Sequence, residues 1–220
     1  MTRNLKALGL ALVAVFAMGA VMASGASAFS FHFNSTAADG HTILNGKQIG
    51  LHKFTTTAGE VTCEVATFSG TTTSNTTTDV TITPSYEKCH INFFGSKVAA
   101  TVNMNKCDYT VTSHQTSEPK PGEIKTTEAT IHLVNCEKAA EVVAAGCTIK
   151  VNPEQTLGGQ TITNGEEDIV LKTETKTIAY SHTGFTCGTG SGTTGTYKGE
   201  TTVKGSETEG KAVTLSYNQV

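Results

Sequence analysis

The sequence predicts an all-β, antiparallel β-sandwich or barrel-like fold of about 10–12 strands, stapled by disulfides, with at most one short helix. Three observations carry this reading. Apolar and polar residues alternate with period two from end to end. Threonine is in excess, with about 39 after residue 28, and its branched side chain suits a half-exposed pleated surface. Breaker clusters recur at spacings typical of sandwiches and barrels.

In chain order, residues 1–28 read as a secretory signal peptide. Arg3 and Lys6 form a basic start, Ala7 to Met22 an apolar run, and Ala26-Ser27-Ala28 a small-residue cleavage site ahead of Phe29. The apolar run is shorter than the roughly 20 residues of a spanning helix, so the mature chain is expected to carry no transmembrane anchor. Residues 29–220 are expected to form a single all-β domain of a size that buries a genuine core.

Asn45-Gly46 and Asn164-Gly165 read as tight hairpin turns, because asparagine and glycine accept positive φ. The first is expected to join His41–Leu44 to a strand from Lys47 to about Thr56, the second to join Thr161–Thr163 to a long strand from Glu166 to Tyr180. Val80 and Ile82 alternate with Thr81 and Thr83; Val98, Ala100, Val102 and Met104 alternate with smaller or polar residues; Val213, Leu215 and Tyr217 alternate with Ala212, Thr214 and Ser216. Thr71–Thr78, Pro84-Ser85, Pro119–Gly122, Asn152-Pro153 and the glycine-rich stretch Gly184–Gly195 read as breakers. Glu137–Ala145 fits either a short helix capped at Gly146 or a short strand and turn.

The six cysteines, Cys63, Cys89, Cys107, Cys136, Cys147 and Cys187, are expected to form structural disulfides after export. Strand phase sets Cys63 with Val61 and Val65, Cys107 with Tyr109 and Val111, and Cys147 with Ile149 and Val151, so these three should point inward. Six cysteines allow fifteen pairings. Closure of short loops favours Cys63–Cys89 and Cys136–Cys147, leaving Cys107–Cys187 to tie the halves together.

Charge and motifs limit the function classes. The whole chain carries a net charge of −3, and loss of the two leader cations makes the remainder more negative still. A nucleic-acid partner is not expected, because the lysines are scattered rather than gathered on one basic face. No metal or other cofactor is expected. Cys89-His90 places two potential ligands on opposite strand faces, and Asn164–Asp168 lacks the spaced oxygen ligands of a calcium loop. Gly190-Ser-Gly192-Thr-Thr-Gly195 matches a dinucleotide fingerprint in letters, but a strand follows it where a helix is required; it reads as a flexible loop. Asp39-Gly40-His41 is the closest grouping of catalytic residue types, with no serine in a nucleophile elbow. Asn34-Ser35-Thr36 and Asn75-Thr76-Thr77 fit the glycosylation acceptor pattern.

Cys63-Glu-Val-Ala-Thr-Phe68-Ser-Gly-Thr71, Pro84-Ser-Tyr86-Glu-Lys-Cys89, Cys107-Asp-Tyr109-Thr-Val111 and Gly195-Thr-Tyr197-Lys-Gly199 give the chain the look of a family. It resembles a group of uncharacterised secreted, threonine-rich β-proteins of actinobacteria. That resemblance implies export and fold and transfers no functional residue.

The expectation is therefore a secreted, non-enzymatic β-protein, extracellular or associated with the cell envelope, that serves as a binding or structural module. No catalytic residue is assigned. In a carbohydrate-binding version, Tyr86, Tyr180 and Tyr197 would supply exposed stacking platforms. A partner-capping version would use Ser113–Thr127. The alternative class is a secreted hydrolase whose site is assembled from distant loops.

Overall fold

Alternation becomes strand almost throughout. The computed structural model describes residues 31–93, 96–114, 127–153 and 155–219; the expected signal peptide and most of Ser113–Thr127, with Pro119–Gly122, lie outside them. Among the described residues there are sixteen strands and no helix. They are β1 (Phe31–Ser35), β2 (Thr42–Gln48), β3 (His52–Thr56), β4 (Gly59–Thr72), β5 (Thr76–Thr77), β6 (Asp79–Phe93), β7 (Ser96–Asn103) and β8 (Asp108–His114). The second half supplies β9 (Thr127–Val134), β10 (Ala140–Ala144), β11 (Cys147–Val151), β12 (Thr156–Asn164), β13 (Ile169–Gly184), β14 (Gly188–Ser206), β15 (Ala212–Val213) and β16 (Leu215–Gln219).

The large sheet closes on itself twice, and every pairing in it is antiparallel. One hydrogen-bonded ring runs β2-β4-β6-β8-β9-β12-β13-β14 and back to β2. A second runs β3-β4-β6-β7-β10-β11-β13-β14 and back to β3. Four long strands, β4, β6, β13 and β14, of 14, 15, 16 and 19 residues, therefore belong to both rings. Closure removes most of the exposed edges that an open sheet of this size would carry.

Each ring has its own core. Leu44, Phe68, Val80, Ile82, Ile131, Ile162 and Leu171 fill the first; Val61, Ile91, Val142, Ile149 and Tyr180 fill the second, with Cys63, Cys89 and Cys147. Where the rings meet, each through-strand turns two consecutive residues away from the core: Glu64-Val65, Glu87-Lys88, Lys176-Thr177 and Thr193-Thr194. The buried phase then moves by one residue, from Cys63 to Ala66 on β4 and from Thr175 to Ile178 on β13. On β13 the pairing with β14 shifts register at this level, and on β6 Lys88 has a φ of 50°. Both are marks of a β-bulge.

A three-stranded sheet, β16-β1-β5, packs against the first ring. The side-chain amide of Asn164 both donates to the Tyr217 carbonyl (2.9 Å) and accepts from its N–H (2.7 Å), so a side chain here imitates a strand pairing.

Several sequence expectations are corrected. Asn45 and Gly46 lie inside β2 rather than in a turn, because a Cβ at Gly46 would stand 2.9 Å from Cβ of Phe68. Asn164-Gly165 does open a hairpin, but its loop runs to Asp168, closed by Gly165 N–H to Asp168 carbonyl, and the second strand starts at Ile169 rather than Glu166. The Glu137–Ala145 region is a strand, Ala140–Ala144, followed by a turn in which Ala145 and Gly146 take φ of 50° and 77°. Most of Gly184–Gly195 is strand, and its glycines admit rings: a Cβ at Gly190 would lie 2.8 Å from His182 Nε2, and one at Gly192 2.8 Å from the Tyr180 hydroxyl. Pro84 does not break β6, since β8 pairs only through Ile82 and β7 only from Cys89 on that edge, so no ladder bond is lost.

Among the disulfides, Cys63–Cys89 forms as expected, the two residues standing opposite each other on β4 and β6. The other two pairs are Cys107–Cys136 and Cys147–Cys187, in place of Cys136–Cys147 and Cys107–Cys187. Register explains the exchange. Asp108 faces Val134 across β8 and β9, so Cys107 and Cys136 flank one strand pair; Cys147 faces Gly184, next to the hairpin tip that carries Cys187. Cys63, Cys107 and Cys147 are all buried, as their phase required.

Candidate functional site: a polar cluster beside an internal cavity

Four polar rings meet inside the molecule at the level where the two circuits of strands join. His52 arrives on β3, Tyr86 on β6, Tyr109 on β8 and Tyr197 on β14. Period two turns each inward: His52 shares its face with Phe54, Tyr109 with Val111 and Cys107, and Tyr197 with Thr201 and Val203.

The four form one hydrogen-bonded row. His52 Nδ1 lies 2.5 Å from the Tyr197 hydroxyl, that hydroxyl 2.8 Å from the Tyr86 hydroxyl, and the latter 3.2 Å from the Tyr109 hydroxyl. His52 Nε2 lies 3.2 Å from the Glu200 carbonyl oxygen. A carbonyl only accepts, so Nε2 carries the proton and Nδ1 is the acceptor. Aromatic contacts hold the rings in place: Tyr86 meets Phe68 and Tyr197 edge-on at centroid distances of 6.0 and 6.4 Å, and His52 meets Tyr197 at 5.7 Å.

Burial sets the charge state of the cluster. It lowers the pKa of His52 from the usual 6.5, against a smaller opposing pull from the Glu200 carbonyl. It raises all three tyrosines well above 10.0, reinforced at Tyr86 by Tyr197, at Tyr109 by Tyr86, and at Tyr197 by Tyr109. At neutral pH the row is uncharged, with every phenol protonated.

Beside the row lies a cavity of about 90 Å³. Its walls are mostly apolar, with Phe54, Val61, Ile131, Leu133, Val142 and Ile178 among them, and His52, the three tyrosines and Thr173 also line it. Glu141, ion-paired to Lys150 at 3.0 Å, also lines it. A second void of about 20 Å³ lies on the first-ring side and shares His52, Tyr109, Ile131, Thr173 and Tyr197 with the larger one. Thr173 is itself buried.

The residues singled out from the sequence fare unevenly. Tyr86 and Tyr197 are in the row and Tyr180 is 1 % exposed, so none offers the open stacking face that the carbohydrate-binding version required. The Tyr180 hydroxyl instead accepts from the Thr57 N–H (3.1 Å) and shares a hydrogen bond with the Thr57 hydroxyl (2.9 Å). Asp39 accepts from the His41 N–H in an exposed turn. Asn34 and Asn75 donate their side-chain amides to the His32 and Ala37 carbonyls. Among the described residues, no group of three His, Cys, Asp or Glu side chains could hold a metal ion, and no helix is long and apolar enough to cross a membrane.

His52 lies in no motif, and the Cys107–Val111 motif that holds Tyr109 assigned it no functional role. Their signal toward a site was phase: Tyr109 shares the inward face of Cys107, and His52 that of Phe54. The geometry defines a disulfide-linked, barrel-like all-β protein with an aromatic hydroxyl row beside an internal cavity. Comparison with known protein families, curated proteins and solved structures finds no match to this chain.

Proposed function

We propose that this protein is an exported, non-enzymatic binding module whose ligand enters the cavity beside the His52–Tyr197–Tyr86–Tyr109 row. The observation that carries the reading is the convergence of the four hydrogen-bonded rings on a mostly apolar cavity, which Thr173 and Glu141 also line, the usual composition of a small-molecule site. Both nitrogens of His52 are engaged, one by a phenol and one by a carbonyl, and neither by a serine or a carboxylate. That arrangement suits holding a ligand better than activating a nucleophile. Three disulfides suit work outside the cell, and the leader-like start at Arg3 to Ala28 supplies the route.

At about 90 Å³ the cavity is smaller than an engineered cavity of about 150 Å³ that takes benzene. The ligand, or the part of it that enters, is therefore a group of a few heavy atoms. Xenon is the probe for such a space. In xenon NMR of the mature protein, a bound-state shift is expected that vanishes in Val142→Trp, where an indole fills the cavity. A shift unchanged in that variant, or none in the parent, would overturn the reading.

A further inference from the structure

The direction of the hydroxyl row determines what it offers a ligand. Because Nε2–H of His52 is donated to the Glu200 carbonyl, Nδ1 must accept, and only Tyr197 can donate to it. Tyr197 has then spent its proton and accepts from Tyr86; Tyr86 has spent its own and accepts from Tyr109. Each phenol owns a single proton. The row therefore runs one way, Tyr109 to Tyr86 to Tyr197 to His52 to Glu200, and it ends at a Tyr109 oxygen with its proton engaged and lone pairs free. Thr173, which lines both voids with Tyr109, adds a hydroxyl of a kind able to donate or accept.

Resting on the binding function proposed above, we propose that the cavity selects a small aliphatic alcohol group, which donates its hydroxyl proton to Tyr109 and accepts one from Thr173. A ketone of the same shape satisfies only half of this pair. It can accept from Thr173, but it gives nothing to Tyr109, and capturing the Tyr109 proton would break the bond to Tyr86. Burial supports the assignment, since phenols held well above their usual pKa stay protonated and keep the row in one direction. With one net hydrogen bond at stake, the preference for alcohol over ketone is about fivefold.

The test uses 2-propanol and acetone, which share one heavy-atom frame, titrated against the mature protein with intact disulfides. The chain has five tyrosines and no tryptophan, so tyrosine ring NMR shifts report the row directly. The parent is expected to bind 2-propanol about fivefold tighter. Tyr109→Phe should bring the two affinities together. Tyr86→Phe should move the preference toward acetone, because Tyr109 then has a free proton to give; loss of packing alone would not produce that opposite movement. Equal binding of both probes by the parent, or a Tyr86→Phe change parallel to that of Tyr109→Phe, would overturn the alcohol assignment. Xenon binding without either organic probe would also overturn it while leaving the cavity function standing. Absence of xenon binding in the parent would overturn both.

Discussion

Gly199 lies directly beneath the imidazole of His52: a Cβ built there would stand 2.5 Å from Nδ1 and 2.6 Å from Cε1. The two residues are on adjacent strands, β14 and β3, and the ring occupies the space that a side chain at 199 would claim. Gly199→Ala should therefore push the imidazole off Tyr197 and Glu200. Overpacking of this kind costs about 1–3 kcal/mol. The expected result is a lowered melting temperature with perturbed tyrosine ring signals from Tyr86 and Tyr197, and an unchanged melting temperature would show that the ring relaxes freely.

Alkaline titration should set three tyrosines apart. Tyr86, Tyr109 and Tyr197 have native pKa values raised by burial, whereas in the unfolded chain they return to about 10. Above that pH the unfolded chain holds fewer protons than the native one, so stability falls as pH rises. Near-ultraviolet absorbance should show these three forming phenolate only together with loss of β circular dichroism. Their smooth titration in a folded protein would contradict an enclosed row.

At the acid end the sign is set by His52. Its native pKa is lowered from 6.5 by burial, so between the two values the unfolded state binds the extra proton. Its contribution is complete above about 6.5 and is lost as pH falls toward the native value. Urea unfolding from neutral to mildly acid pH should show a smaller acid decline in His52→Gln than in the parent. Equal declines would place the acid sensitivity elsewhere.

Non-reducing peptide mapping should return Cys63–Cys89, Cys107–Cys136 and Cys147–Cys187. Replacing both Cys63 and Cys89 by alanine reopens a loop of 26 residues, which costs about 3 kcal/mol in the chain-entropy model. A much smaller loss would mean that pairing of β4 with β6 alone holds that part of the ring.

Fold class was legible because alternation and threonine content are local properties: Val80 and Ile82, or Val213 and Leu215, announce a strand without reference to anything distant. Inward cysteines were legible for the same reason. What sequence could not show was which strands become neighbours. Cys136 and Cys147 are close along the chain, yet β9 pairs with β8 and β11 with β13, so their partners lie elsewhere. Glycine misled for a related cause. Gly46, Gly190 and Gly192 read locally as turn or loop residues, while their role is to leave room for Phe68, His182 and Tyr180 on other strands. The cavity was least legible of all, because Tyr86 and Tyr197 are 111 residues apart and His52 and Tyr197 are 145 apart, and no spacing rule connects them.

The four through-strands have a mechanical consequence. A protein built from two separate barrels can lose one and keep the other, as beads on a string do. Here β4, β6, β13 and β14 are load shared by both ends, and Cys63–Cys89 rivets two of them together just beside the joint. Melting either end removes support from the other, so heat should dissolve the molecule in one step, and a ligand lodged at the waist would brace both ends at once.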